Sequence, residues 1–164
     1  MQLAVIASED QRFPKHFGLD VTEIRKVLEA EGGPDRGAST ISQQLIKNLY
    51  LWSGRDWTRK GIEAWLTLWL ELFLPKQRIL ELYLNVVEFG PGVYGAPMAA
   101  QRYFNTYGRA ISAGQAALLA AALPAPSKMS VRSPSEYHRQ RQQHILRQMR
   151  LLGGPTYLPW LSRH

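Results

Sequence analysis

Four polar clusters in the chain carry the residue types from which a catalytic site could be built. The first, SEDQRFPKHFG at 8–18, holds the acid pair Glu9 and Asp10, then His16 and two aromatics, Phe13 and Phe17. A carboxylate set among aromatic side chains can work as a general base or acid, because desolvation disfavours its charged form. Phe13 and Phe17 are expected to anchor the segment in the core and to leave Glu9 and His16 near its surface. Alone, this cluster reads more readily as a polar turn before a helix. The second, GASTISQQLIKN at 37–48, pairs Gln43 with Lys47 and Gln44 with Asn48 at i,i+4, so two adjacent helix ridges present amides and a cation. Ser39 and Thr40 stand at the helix start, where free backbone N–H groups favour anions. The same stretch also has the look of a DNA recognition helix.

The third cluster, RDWTRKGIE at 55–63, spaces Arg55, Arg59 and Glu63 by four, which a helix would align on one face. Four of the five tryptophans, Trp52, Trp57, Trp65 and Trp69, fall around it between 52 and 69. That concentration reads either as a tryptophan-rich core, the commoner case, or as a membrane interface, where tryptophan is favoured. The fourth, KQRILELYLN at 76–85, is mostly a core helix, with Ile79, Leu82 and Tyr83 on one face and Leu80 and Leu84 on the flank.

The elements that must position these clusters are helical. DVTEIRKVLEA at 20–30 has a one-faced apolar stripe, and EGGPDRGAS at 31–39 breaks it. Thr40 with Gln43 fits a capping box at the start of the next helix. Asp56 can cap a helix running through Leu74, which Pro75 ends. KQRILELYLNVVEF is a further helix stopped by GPG at 90–92, and GAPMAAQRYF, SAGQAALLAAAL and SEYHRQRQQHILRQMRLL give three more. No strand is expected, and one all-α domain is the economical reading.

Bulk properties narrow the function. The chain has 164 residues, 45% of them hydrophobic, enough for one domain with a real core. It has no cysteine, which excludes disulfides and thiolate metal sites. A net charge of +7 favours anionic partners: nucleic acid, an anionic membrane surface or a phosphate-bearing substrate. The most apolar run, AWLTLWLELFL at 64–74, is too short to span a bilayer. A DNA-binding domain fits the charge and the second cluster but leaves Glu9, Asp10, Glu63 and the tryptophans unused. A lysozyme-like glycan hydrolase fits two carboxylates on an α scaffold but has no need of Lys47, Arg55 and Arg59. A transferase acting on a lipid-linked diphosphate uses them all: carboxylates for proton transfer, cations for the diphosphate, aromatics for lipid.

The same residues carry a resemblance. EDQRFPKHFG resembles the E-D-x-x-F-x-x-H-x-G motif of the peptidoglycan glycosyltransferases (glycosyltransferase family 51), and GASTISQQLIKN resembles their G-x-S-T-I-x-Q-Q-L-x-K-N. RKGIE resembles R-K-x-x-E, KQRILELYLN resembles K-x-x-I-L-E-x-Y-L-N, and GVYGAPMAAQRYF resembles G-x-x-G-x-x-x-A-A-x-x-Y-F. The motifs fall in the family's order, from about Leu3 to Gly154, with Pro97 where a glutamate is more usual. The closing ILRQMRLLGG is similar to the end of the single-function form, which lacks a transpeptidase domain.

The resemblance implies a lysozyme-like α fold with a small apolar membrane-touching lobe. It implies a glycosyltransferase domain over 1–154, without the family's N-terminal anchor, and a C-terminal tail over 155–164. The implied reaction is polymerisation of lipid II into β-1,4 glycan strands, with inversion and release of undecaprenyl diphosphate, on the periplasmic side of the bacterial cytoplasmic membrane. Glu9 matches the general base. Glu63 matches a second acid near the donor diphosphate, acting directly or through a divalent cation (Mg or Mn); no organic cofactor is implied. Lys47, Arg55 and Arg59 match diphosphate-binding cations, and Ser39, Gln44 and Asn48 match polar cleft residues. Asp10, Phe13, His16 and Phe17 are expected to support the loop. Implied partners are lipid II, the growing lipid-linked glycan, the membrane surface, and cell-wall synthesis or division proteins, with no nucleic acid.

Overall fold

A computed structural model describes residues 1–29, 39–52, 54, 56–106, 111–158 and 160. The first element, α1 (Gln2–Glu9), is a helix that the chain's opening residues did not announce: it has no side-chain cap and no polar face. Leu3 to Ala7 are all buried, the behaviour of a helix that is apolar all round. A 3-10 turn (Phe13–Lys15) carries the chain into α2 (Val21–Glu29), whose first turn is capped by Asp20 Oδ1, accepting from the backbone N–H groups of Thr22 and Glu23 at 3.0 and 3.1 Å. The loop 31–38 lies outside the described residues.

Helix α3 (Ile41–Tyr50) starts at the expected capping box. Thr40 Oγ1 accepts from the Gln43 backbone N–H, and the Gln43 side chain accepts from the Thr40 backbone N–H at 3.0 Å. Helix α4 (Trp57–Phe73) is capped by Asp56, which accepts from the Arg59 N–H at 2.6 Å. Pro75 separates α4 from α5 (Lys76–Val86). Here the expectation overran. Residues 88–94 form a short antiparallel hairpin, β1 (Glu88–Gly90) and β2 (Val93–Tyr94), with Glu88 opposite Tyr94 and Gly90 opposite Val93. The GPG at 90–92 is therefore a hairpin turn and not the helix stop, since α5 has already ended at Val86; Gly92 takes φ +69°.

Helices α6 (Ala96–Phe104), α7 (Ala113–Ala122) and α8 (Glu136–Leu151) follow, the last two capped by Ser112 and Ser135. A 3-10 turn (Gly154–Tyr157) comes next. Helix α7 lies against α1 and α8, while α3 lies against α4 and α5. The alanines of α1 and α7 (Ala4, Ala7, Ala116, Ala117, Ala120) are buried, and residues this small let helices approach closely. Ile6, Phe13, Ile41, Leu45, Tyr83, Phe89, Leu119 and Ile145 fill the core between the two groups. Among the described residues after Gly154, Leu158 is buried, the Tyr157 hydroxyl donates to the Gln11 carbonyl at 2.6 Å, and Trp160 Nε1 donates to Gln2 Oε1 at 2.9 Å.

Helix α4 is built inside out. Its buried positions are Arg59, Glu63, Thr67 and Glu71, a polar stripe at i,i+4 spacing. Its exposed positions include Trp57, Trp65, Leu68, Trp69, Leu72 and Phe73. Trp65, Trp69 and Phe73 form a ladder, with ring centroids 6.1 and 5.8 Å apart. The tryptophan cluster is thus not a core, because α4 spends its inward face on charges. Among the described residues no helix is long and apolar enough to cross a membrane.

Candidate active site

Glu9 is the last residue of α1, so its carboxylate projects half-buried from a helix fixed in the core. Each carboxylate oxygen receives one hydrogen bond. Ser8 Oγ donates to Oε1 at 2.8 Å, and Gln44 Nε2 donates to Oε2 at 3.1 Å. The carbonyl oxygen of the same Gln44 amide accepts from the Tyr83 hydroxyl at 2.8 Å. Burial, and secondly the negative charge of Glu9, push the Tyr83 phenol well above its ordinary range, which keeps it a donor.

Asp10 faces the other way. It is buried, it accepts from His16 Nε2 at 2.9 Å, and it accepts the backbone N–H of Ile41 at 3.1 Å. The helix start that the sequence offered to an external anion therefore already holds a carboxylate of the protein itself. His16 is not near the surface as expected: its side chain is 5% exposed and meets Phe13 edge-on, ring centroids 6.2 Å apart. Phe13 is buried, but Phe17 is 54% exposed and does not anchor the loop. Gly18 does, by close approach: at φ +75°, a Cβ there would lie 2.8 Å from Thr67 Cγ2. Its carbonyl accepts from Thr40 Oγ1. Asp10, His16 and Asp20 bring three possible metal-ligand atoms within 4.8 Å of one another. Both carboxylates are already bound to a helix N-terminus and a cationic or N–H donor, Asp20 by Arg12 at 3.0 Å, so the cluster reads as a clasp between α2 and α3.

On α3, Lys47 and Asn48 are exposed one turn beyond Gln44, with Asn48 on the Gln44 ridge. Gln43 and Ser42 point inward, Gln43 in the cap and Ser42 Oγ onto buried Glu71. A recognition helix needs these residues free, and here they are not. Ser39 reaches the site through its backbone carbonyl, which accepts from Gln44 Nε2 at 3.4 Å. On α4, Arg59 Nη1 donates to Glu63 Oε2 at 3.0 Å, and Lys60 Nζ pairs with Oε1. Glu63 is buried with both oxygens taken by cations, so a divalent ion there would have to displace them; it fits as a counter-ion that fixes Arg59 and Lys60. The i,i+4 alignment is observed for Arg59 and Glu63, while Arg55 lies outside the described residues. No hydrogen bond among the described residues joins the Glu9 group to the Arg59–Glu63 group. They are two poles, one on α1 and α3, the other on α4.

Several participants were missed from sequence. Lys60 could have been found from its i,i+3 spacing to Glu63. Ser8, Glu71 and the reach of Tyr83 to Gln44 carried no local signal. Lys76 is structural: it pairs with Glu71 at 2.7 Å and sits 4.4 Å from the centroid of the Phe13 ring.

Comparison with known proteins bears on this arrangement. Residues 1–150 match the family model described as transglycosylase. The chain is 53% identical over 161 residues to a biosynthetic peptidoglycan transglycosylase of Xanthomonas oryzae pv. oryzae, covering 97% of the chain and 66% of that relative. It is 56% identical over 159 residues to the protein of the same name from Chromohalobacter salexigens, covering 96% and 68%. It is 55% identical over 161 residues to that of Citrobacter koseri, covering 96% and 66%. The chain spans about two thirds of the length of the curated relatives it matches.

Proposed function

The chain belongs to the transglycosylase family, and from that premise we propose that it is a peptidoglycan glycosyltransferase, polymerising lipid II into β-1,4 glycan strands with inversion and release of undecaprenyl diphosphate. The observation that carries the reading is Glu9. It is the outward-facing member of its acid pair, fixed at the end of a buried helix, with one donor on each oxygen. Such a group is placed to take the proton from the 4-hydroxyl of an acceptor sugar. That oxygen attacks the donor's anomeric carbon from the face opposite the diphosphate. The carbon–oxygen bond to the diphosphate breaks, and its electron pair leaves on the phosphate oxygen. A positioned base contributes about 10²–10⁴-fold.

Lys47, Arg55, Arg59 and Lys60 supply positive charge for the leaving diphosphate, and Glu63 holds two of them in place. Fixed charges facing growing charge in a partly dry site stabilise a transition state without reorganising. Ser39, Gln44 and Asn48 are the polar residues of the cleft in this reading. The exposed aromatic face of α4 suits a protein that works at a membrane surface, where tryptophan sits at the headgroup level. We place that surface on the periplasmic side of the bacterial inner membrane, where lipid-linked precursor is consumed.

The test is an assay with labelled lipid II. The parent chain forms polymer, and Glu9→Gln forms none while melting at the parent temperature. Near-normal polymer from Glu9→Gln would overturn the base assignment. Release of sugar fragments from finished cell wall, without polymer from lipid II, would mark a hydrolase instead. Lys47→Ala and Arg55→Ala are each expected to weaken binding of a diphosphate-bearing lipid; unchanged binding in both would remove the cations from the diphosphate site.

A further inference from the structure

The two hydrogen bonds on Glu9 each begin elsewhere. On one side, Ser8 Oγ has a single proton and two acceptors in reach, Glu9 Oε1 at 2.8 Å and the Ala120 carbonyl at 3.3 Å. The nearer, charged acceptor forms the stronger bond. Arg141 of α8 approaches the same oxygen from the other direction, Nη2 to Ser8 Oγ at 3.5 Å, and is itself anchored by Nε on the Ala121 carbonyl at 3.3 Å. A cationic donor on the lone-pair side leaves the hydroxyl proton facing Glu9. On the other side, the orientation of an amide is set by what its oxygen accepts. The Tyr83 phenol, kept protonated, gives its proton to Gln44 Oε1 and thereby turns the amide nitrogen to Glu9.

We propose that Tyr83 and Ser8 are positioning residues for Glu9, Tyr83 acting from α5 through Gln44 and Ser8 held toward Glu9 by Arg141 of α8, so that each carboxylate oxygen is fixed by its own two-step relay. This rests on Glu9 being the base. Without the Tyr83 hydroxyl the Gln44 amide keeps its nitrogen contacts, to Glu9 and the Ser39 carbonyl, but its oxygen loses its anchor on α5, so the donor to Oε2 is free to shift. Without the Ser8 hydroxyl the Oε1 side is free to rotate. Neither residue needs to touch substrate, so the signature is loss of turnover without loss of substrate affinity.

The experiment compares parent, Tyr83→Phe, Ser8→Ala, Ser8→Thr and the Tyr83→Phe/Ser8→Ala double variant, each checked for an unchanged melting profile, in steady-state polymerisation of labelled lipid II. Tyr83→Phe and Ser8→Ala are each expected to lower kcat on the order of 10-fold with KM within about twofold, in line with the cost of small misplacements of a reacting group. Ser8→Thr, which restores a hydroxyl, recovers most of the rate. The two losses multiply in the double variant, because the relays hold different oxygens. Unchanged kcat in both single variants, or a raised KM with unchanged kcat, would overturn the proposal. Glu9→Gln run alongside separates the two claims: an inactive Glu9→Gln with fully active Tyr83→Phe and Ser8→Ala removes the relays alone, whereas an active Glu9→Gln removes the base assignment beneath them.

Discussion

Among single residues, the acid pair at 9 and 10 shows how neighbours divide labour. Both carboxylates stood in one motif, and spacing could not separate them. The tertiary structure does, because Asp10 is consumed by His16 and the start of α3 while Glu9 is left facing out. Glu63 was legible as a charged partner of Arg59, and its second cation, Lys60, lies within reach of the same helical spacing; its burial depends on how α4 lies against α3, which local sequence does not encode. A buried carboxylate between two cations tolerates replacement poorly, since its loss leaves charge unpaired. Glu63→Gln is expected to lower unfolding free energy by about 3 kcal/mol in urea titration; a variant as stable as the parent yet inactive would instead give Glu63 a direct part in the chemistry. Tyr83 makes a pH prediction of known sign. Its phenol titrates higher in the folded chain than in the unfolded one, so its contribution to stability is complete below the unfolded value, about 10, and is lost as pH rises beyond it. The alkaline fall in stability should be shallower in Tyr83→Phe than in the parent, measured by urea titration across that range.

For helices and turns, the elements with local punctuation were legible and those without it were not. The Thr40–Gln43 box, the Asp56 cap and Pro75 each act within four residues, and each set a helix end where the sequence placed it. Helix α1 lacks a cap, and the β1–β2 hairpin is too short to show alternation, so both went unseen. The Thr40 cap also ties to the Gly18 carbonyl, and Thr40→Ala is expected to cost about 1–2 kcal/mol in urea titration. Helix α4 defeats periodicity in a different way. Its apolar stripe exists but faces outward, with charges inward, so the pattern gives the stripe and not its direction. Replacing Trp65 and Trp69 by serine should change urea stability by no more than about 0.5 kcal/mol each, as for surface positions, while sharply reducing co-sedimentation with anionic phospholipid vesicles. Vesicle binding equal to the parent's would remove this face from the membrane surface.

At the scale of the whole molecule, elements far apart in sequence meet. Helix α8 and the turn after it lie against α1, with His138, Ile145 and Leu158 buried and Arg141 reaching Ser8. The helical class was readable because most segments carry a helix period of their own; the return of α8 to α1 was not, since contacts 133 residues apart leave no local trace. A chain ended at Ser133 should therefore lose its cooperative thermal transition in circular dichroism, and a sharp melt in that truncation would show the α8 packing to be dispensable. Helix α4 packs on α3 and α5 rather than on this α1–α8 contact, and its aromatic face is exposed. The Trp65–Trp69 pair within it has a consequence of an optical kind. Two indoles 6.1 Å apart and inclined at 74° couple their electronic transitions, so the folded protein should carry a split circular-dichroism band in the far ultraviolet that neither ring gives alone. Because both rings stand on the outer face, that band becomes a label-free reporter, changing when this helix meets a bilayer and vanishing when it melts.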